Sequence, residues 1–192
     1  MILDKRQVKS QQRLMKALAD LLTSGKKLNQ ISIQAIVKQA KVSRSTFYRN
    51  FDSKEDFLDW IILEIETGIL EAAQIQNGKI VEDPFKNYFR YLYQQREFIK
   101  AFISDLNWPS LTETMFLTAT ALYEKELGGK QSLISAKDLA NYIVGAHVQI
   151  SRDWLITDDT RSPEKMAKVL TTLTRDNLLK GLGIEQLISL PK

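Results

Sequence analysis

A chain of 192 residues, 44% hydrophobic and 26% charged, is long enough to bury a substantial core, as one domain or as a small domain joined to a larger one. It has no cysteine, which removes disulfides, thiolate catalysis and thiolate metal sites together and fits a reducing cytoplasm; no apolar run approaches the roughly 18 residues of a membrane span, and no apolar core follows a basic start, so neither insertion nor secretion is expected. The net charge of +4 is unevenly spread: residues 1–54 carry 12 Lys and Arg against 3 acids, and the remainder carries 15 against 20.

From about Val8 to Thr23 the residues Leu14, Ala17, Leu18, Leu21 and Leu22 repeat with a helical period, and Ser24-Gly25 stops them. Lys26, Lys27 and Asn29 fall in a connecting loop. Ser32 then caps a short helix whose Ile33, Ile36, Val37 and Ala40 form one apolar face, with Lys38 and Gln39 outward. Lys41 and Val42 break the period. Ser43 caps a second short helix that carries Arg44, Ser45, Thr46, Tyr48 and Arg49, with Phe47 and Phe51 as inward anchors. So short a helix is not stable alone, and a surface dense in Arg, Ser, Thr and Tyr is a face kept for a partner. Within a strongly basic region that partner is DNA, because such a patch neutralises phosphates and releases counterions while the acidic remainder stays off the duplex. The stripe of the first helix is expected to pack on Ile33, Ile36, Val37 and Phe47 as a three-helix core.

The run from Ser32 to Leu58, S-I-x-x-I-x-x-x-A-x-V-S-x-x-T-F-Y-x-x-F-x-S-K-E-x-x-L, resembles the helix-turn-helix of the TetR family of bacterial transcription regulators. Arg44, Ser45, Thr46 and Arg49 are the candidates for base or phosphate contact, arginine being best suited to guanine. The resemblance implies phosphate contacts for Ser32, Ser43, Tyr48 and Lys54. The family usually places Gly before the Val-Ser pair, where the backbone often needs positive φ; here it is Lys41, at a cost on the order of 1 kcal/mol and with a further candidate phosphate contact in return.

After Phe51, Asp52 or Ser53 caps a helix with Glu55 and Asp56 at the positive end of its dipole. It runs to about Gln76 through Phe57, Leu58, Ile61, Ile62, Ile65, Ile69 and Leu70, apolar on more than one side, as expected of a connector between two domains. Asn77-Gly78 marks a loop to Asp83-Pro84, where Pro84 opens the next helix. Residues 85–105 are rich in aromatics, with a bend expected at Gln94 to Glu97. Trp108-Pro109 is expected in a connection before a helix from about Ser110 to Leu127, ended by Gly128-Gly129. Two more helices follow, Ala136 to Ile156 with Ser135 as cap and Asp138 in its first turn, and Pro163 to Leu182 with Gly181 and Gly183 at its end. No strand alternation appears.

The expectation is an all-α chain: a three-helix helix-turn-helix domain at 1–53 and a larger helical effector-binding and dimerisation domain at 54–192. Ala140, Gly145, Ala146 and Ser151 are small and permit close approach of another helix. The resemblance implies a homodimer through the last two long helices. A single recognition helix also contacts too few base pairs for specificity, so two copies about 34–36 Å apart on a palindromic site are expected. The resemblance further implies a small-molecule effector site among the middle helices, for which Tyr88, Tyr91, Phe102, Trp108, Met115, Phe116, Tyr123 and His147 are the candidates. The sole histidine, His147, lies among apolar residues and reads as a core or interface residue. There is no phosphate-cradling glycine loop, nucleophile elbow or metal-ligand spacing, so no enzyme, metal or cofactor is expected. The reading is a cytoplasmic, dimeric regulator bound to a double-stranded DNA operator, most readily a repressor released by a ligand. An activator or protein-partnered regulator, and a helical module binding polyanions without sequence preference, are the alternatives.

Overall fold

The computed structural model describes residues 5–73, 83–103, 108–127, 135–157 and 159–174, with the backbone alone described at 108–111, 122–123 and 125–127. The described residues hold α1 (Lys5–Thr23), α2 (Ile33–Ala40), α3 (Arg44–Tyr48), α4 (Lys54–Ala73), α5 (Pro84–Gln94), α6 (Arg96–Ile103), α7 (Trp108–Leu127), α8 (Ala136–Ile156) and α9 (Pro163–Thr174), and no strand. They fall into two compact units. One comprises α1 to α3, α4 as far as Glu64, and α6 from Glu97; the other takes α4 from Ile65, α5 with Arg96, α7 from Pro109, α8 and α9.

The first unit is built by local rules that the sequence states openly. Ser32 and Ser43 accept hydrogen bonds from the amides of Ala35 and Thr46 at 3.2 and 3.1 Å, capping α2 and α3. Ser53 accepts from the amide of Asp56 at 3.0 Å, and the Asp56 carboxylate accepts in return from the amide of Asp52 at 2.9 Å. The apolar stripes meet as expected: Leu14, Leu18, Ile36, Val37 and Phe47 are buried. Phe47 has its ring centroid 5.6 Å from those of both Phe51 and Phe57, so two anchors become a chain of rings that continues to Trp60. Removing such a ring costs about 3–5 kcal/mol, enough to unfold a small helical unit. Phe98, Ile99 and Phe102 of α6 are buried in the same unit.

In the second unit α5 packs on α8 and α9. Phe89 meets Trp154 edge to face at 5.3 Å, and the Trp154 indole donates to the carbonyl of Arg161 at 3.0 Å. Arg96 donates to the carbonyls of Trp154 and Thr157, both at 2.9 Å, closing the C-terminal end of α8. Gly68 of α4 is where the Tyr91 ring comes to rest, since a Cβ there would collide with the Tyr91 hydroxyl. At the other end of α8, Ser135 and Asp138 form a full capping box.

The structure departs from expectation at several ends. α1 starts at Lys5 rather than Val8, because Lys5, Arg6 and Gln7 are good helix formers with nothing to stop them. Leu28–Gln30 forms one 3₁₀ turn where a loop is expected, drawn in by burial of Leu28. Trp108 and Pro109 open α7 instead of preceding it, since proline is tolerated in a first helical turn. The loops expected at Asn77-Gly78 and Gly128-Gly129, the far end of α4 at Gln76 and the end of the last helix at Leu182 lie outside the described residues.

Candidate nucleic-acid interface and buried cavity

α3 is five residues long and only Phe47 of it is buried. Everything else about its surroundings holds it still. At its start the Ser43 hydroxyl lies 2.8 Å from both Ser45 Oγ and Thr46 Oγ1 while accepting the Thr46 amide. At its end Asn50 donates to the Thr46 carbonyl at 2.6 Å and to Ser10 of α1 at 3.2 Å. A helix too short to persist alone is thus fixed by one cap, one ring and one amide.

On the outward face Arg44, Ser45, Tyr48 and Arg49 are exposed and Thr46 is half-buried. Arg44 donates to the Tyr48 hydroxyl at 3.3 Å and its guanidinium lies 5.5 Å from the ring centroid. The pair presents a flat cation and a phenol side by side. Ser32 is exposed, and its oxygen is occupied as a cap while its proton remains a donor.

Lys41 has φ 53 and ψ 46, the left-handed conformation where the family pattern has Gly, and is exposed. It is the one non-glycine residue with positive φ among the described residues. Arg13 of α1 donates from one guanidinium nitrogen to the carbonyls of Ala40 at 2.8 Å and Lys41 at 3.0 Å. The sequence shows Arg13 only as one more basic residue; its place in the third turn of α1, facing the end of α2, is a product of packing.

Lys54 is half-buried and its ammonium donates to the Leu28 carbonyl at 2.7 Å. Burial holds its pKa below the ordinary lysine value, with Glu55 opposing. It ties α4 to the 3₁₀ turn and keeps two donors for another acceptor.

The second unit contains a cavity of about 240 Å³. Of the residues expected there, Tyr88, Met115 and His147 line it. Tyr91 packs on Gly68, Phe102 is in the core of the other unit, and Phe116 is not among the lining residues. The side chains of Trp108 and Tyr123 lie outside the described residues. Tyr88 donates to Ser151 at 2.8 Å and burial pushes its pKa up to about 12, the Ser151 bond opposing. His147 lies 3.0 Å from Thr174 Oγ1, meets Phe85 edge to face at 5.1 Å, and is lowered by burial to about 4, so it is neutral at pH 7.

Glu66 of α4 also lines the cavity, and it was not among the expected residues. It is 6% exposed, and its Oε1 has no hydrogen-bond partner among the described residues. A signal existed in the sequence: Glu66 falls four residues after Ile62 and three before Ile69, a carboxylate within an apolar stripe.

Comparison with known proteins agrees with this geometry. Residues 26–61 match the profile of bacterial regulatory proteins of the tetR family, and residues 81–176 match that of a transcriptional regulator C-terminal region. The chain is 24% identical, over 96% of its length and 88% of the relative's, to the HTH-type dhaKLM operon transcriptional activator DhaS of Lactococcus lactis subsp. lactis. It is 25% identical, over 91% and 95%, to the uncharacterized HTH-type transcriptional regulator YdgC of Bacillus subtilis. Among solved structures it is similar to the dihydroxyacetone kinase operon activator DhaS, with a TM-score of 0.63 at 22% identity over 91% of this chain and 97% of that one. It is also similar to NalD, the secondary repressor of the MexAB-OprM multidrug efflux pump in Pseudomonas aeruginosa, with a TM-score of 0.59 at 13% identity over 94% and 97%. Helix-turn-helix, caps, left-handed turn and both matched regions together make this chain a member of the TetR family of transcriptional regulators.

Proposed function

We propose that the chain acts as a homodimer that binds a palindromic operator through α3 and is released from it by a small molecule, which makes it a repressor. The observation that carries this reading is the immobilised α3, with Arg44, Ser45, Tyr48 and Arg49 exposed around a single buried anchor. Arginine and hydroxyl donors on a rigid helix suit base edges and phosphates, and Ser32, Lys41, Ser43, Thr46 and Lys54 surround them with further donors. Exposed Tyr142 and Ala146 on α8 and Leu173 on α9 leave an apolar face for a second copy, and beyond its own stretch of helix no described residue comes within 4 Å of a Cβ placed on Gly145. The cavity gives the second unit a place for an effector that shifts the population toward dimers whose heads no longer match the half-sites.

Footprinting of the purified protein on fragments of its own genomic neighbourhood, at physiological salt with competitor DNA, tests the reading. Protection of one palindrome is the expected result. Weak, salt-sensitive binding to every fragment alike would move the polyanion-binding module ahead. A second reading, activation, is favoured by the similarity to DhaS, a transcriptional activator, and a reporter behind the protected site distinguishes the two by the sign of its response.

A further inference from the structure

Glu66, the one acidic residue among the described residues that line the cavity, sits where a carboxylate has little reason to be. It is 6% exposed, and among the described residues its Oε1 has no hydrogen-bond partner and no Lys or Arg lines the cavity beside it. Around it stand Ile69, Phe85, Tyr88, Val144 and Val148, all apolar or aromatic at the surface they offer. The Tyr88 hydroxyl is committed to Ser151, and His147 has one ring nitrogen engaged with Thr174 and carries no charge at neutral pH. A buried carboxyl oxygen left without a partner is costly, and a donor group on a ligand that enters the cavity would satisfy it.

We propose that this cavity binds a small organic cation, an apolar or aromatic body bearing an ammonium that pairs with Glu66; this rests on the reading of the cavity as the effector site. A hydroxyl can donate only a neutral hydrogen bond to Glu66, whereas an ammonium donates a charge-assisted one and pairs with the carboxylate form. Phe85 and Tyr88 line the same cavity, and aromatic rings favour a cation placed against their faces. A volume of about 240 Å³ lies below the roughly 300–1,000 Å³ of sites for drug-sized molecules, so the ligand is small. An anion is disfavoured, because a carboxyl group among apolar side chains offers it no counter-charge.

The test is calorimetric titration of the full-length protein at pH 7 with three probes of one shape: 4-phenylbutylamine, 4-phenylbutan-1-ol and 4-phenylbutyrate. The amine is expected to bind at least about tenfold more tightly than the alcohol, and the acid most weakly. Glu66→Gln, checked for native helicity, is expected to remove the amine's advantage while leaving alcohol binding within about twofold. Equal or tighter binding of the acid or alcohol, an amine preference that survives Glu66→Gln, or no amine binding at millimolar concentration each overturns the proposal. Ile143→Trp, which fills the cavity, is expected to abolish amine binding, and survival there overturns the assignment to this cavity. Release of operator by the alcohol or acid but not the amine would sink the cation and leave the effector reading standing. Glu66-dependent amine binding that leaves operator affinity unchanged would support the cation and count against the effector reading.

Discussion

Arg13 of α1 donates to the carbonyl oxygen of Lys41, the residue whose left-handed backbone ends α2, at 3.0 Å, and to that of Ala40 just before it at 2.8 Å. The last carbonyls of a helix have no partner within the helix, and a guanidinium across the turn satisfies two of them while complementing the negative end of the dipole. Arg13→Met keeps much of the stem and removes the fork. It is expected to lower stability by about 1–2 kcal/mol in urea denaturation, since charge-assisted bonds run higher than neutral ones but this one is partly exposed. No change in the urea midpoint would show that water replaces the guanidinium without loss.

At Lys41 two opposing effects decide the sign. A non-glycine residue at φ 53 carries a penalty of about 1–2 kcal/mol, and glycine relieves it at an entropic cost of about 0.5–1 kcal/mol. Lys41→Gly is therefore expected to be neutral or stabilising by up to about 1 kcal/mol by thermal denaturation. If Lys41 contacts a phosphate, the same variant binds DNA more weakly and its salt dependence falls by about one counterion. A clear loss of stability would mean that the lysine side chain supports the turn.

Tyr48 is 43% exposed and Arg44 is exposed, whereas Phe47 between them is wholly buried. Arg44→Ala and Tyr48→Ala are expected to change stability by no more than about 0.5 kcal/mol. Each is expected to weaken operator binding by about 1–3 kcal/mol in a gel-shift titration, Arg44→Ala with relaxed specificity at one base pair if it reads guanine. Phe47→Ala, by contrast, is expected to cost about 3–5 kcal/mol of stability. A Tyr48→Ala variant that binds as tightly as the parent would remove that residue from the interface.

His147 links the second unit to pH. Burial lowers its pKa to about 4 from an ordinary 6.5, so between those values the unfolded chain binds a proton that the folded protein refuses. Stability therefore rises with pH through this window, is complete above about 6.5, and is lost progressively as pH falls toward 4, by at most about 3 kcal/mol. Glu66 lines the same cavity, so the comparison is best made in Glu66→Gln and in the double variant that adds His147→Asn. Urea midpoints between pH 4 and 7 should flatten in the double variant, and an unchanged slope would assign the pH dependence elsewhere.

The amino-acid pattern by itself determined the helical class, the two short helices and their turn, and the caps at Ser32, Ser43 and Ser135, because these depend on periodicity and on hydroxyls within a few residues of the amides they satisfy. The left-handed Lys41 was legible for the same reason, as a position in a local turn. What only the tertiary structure decided is long-range pairing. Arg13 reaches carbonyls 27 and 28 residues away, Lys54 a carbonyl 26 residues away and Asn50 a serine 40 residues away, and in one dimension each looks like any solvated polar residue. The cavity is a sharper case. An aromatic residue at helical spacing reads alike whether it fills a core or faces a void, so Phe102 and Tyr91 were indistinguishable from Tyr88 until α4, α5, α7 and α8 came together. The unpartnered Oε1 of Glu66 arises the same way, since an oxygen is left without a donor only by how the described residues around it pack.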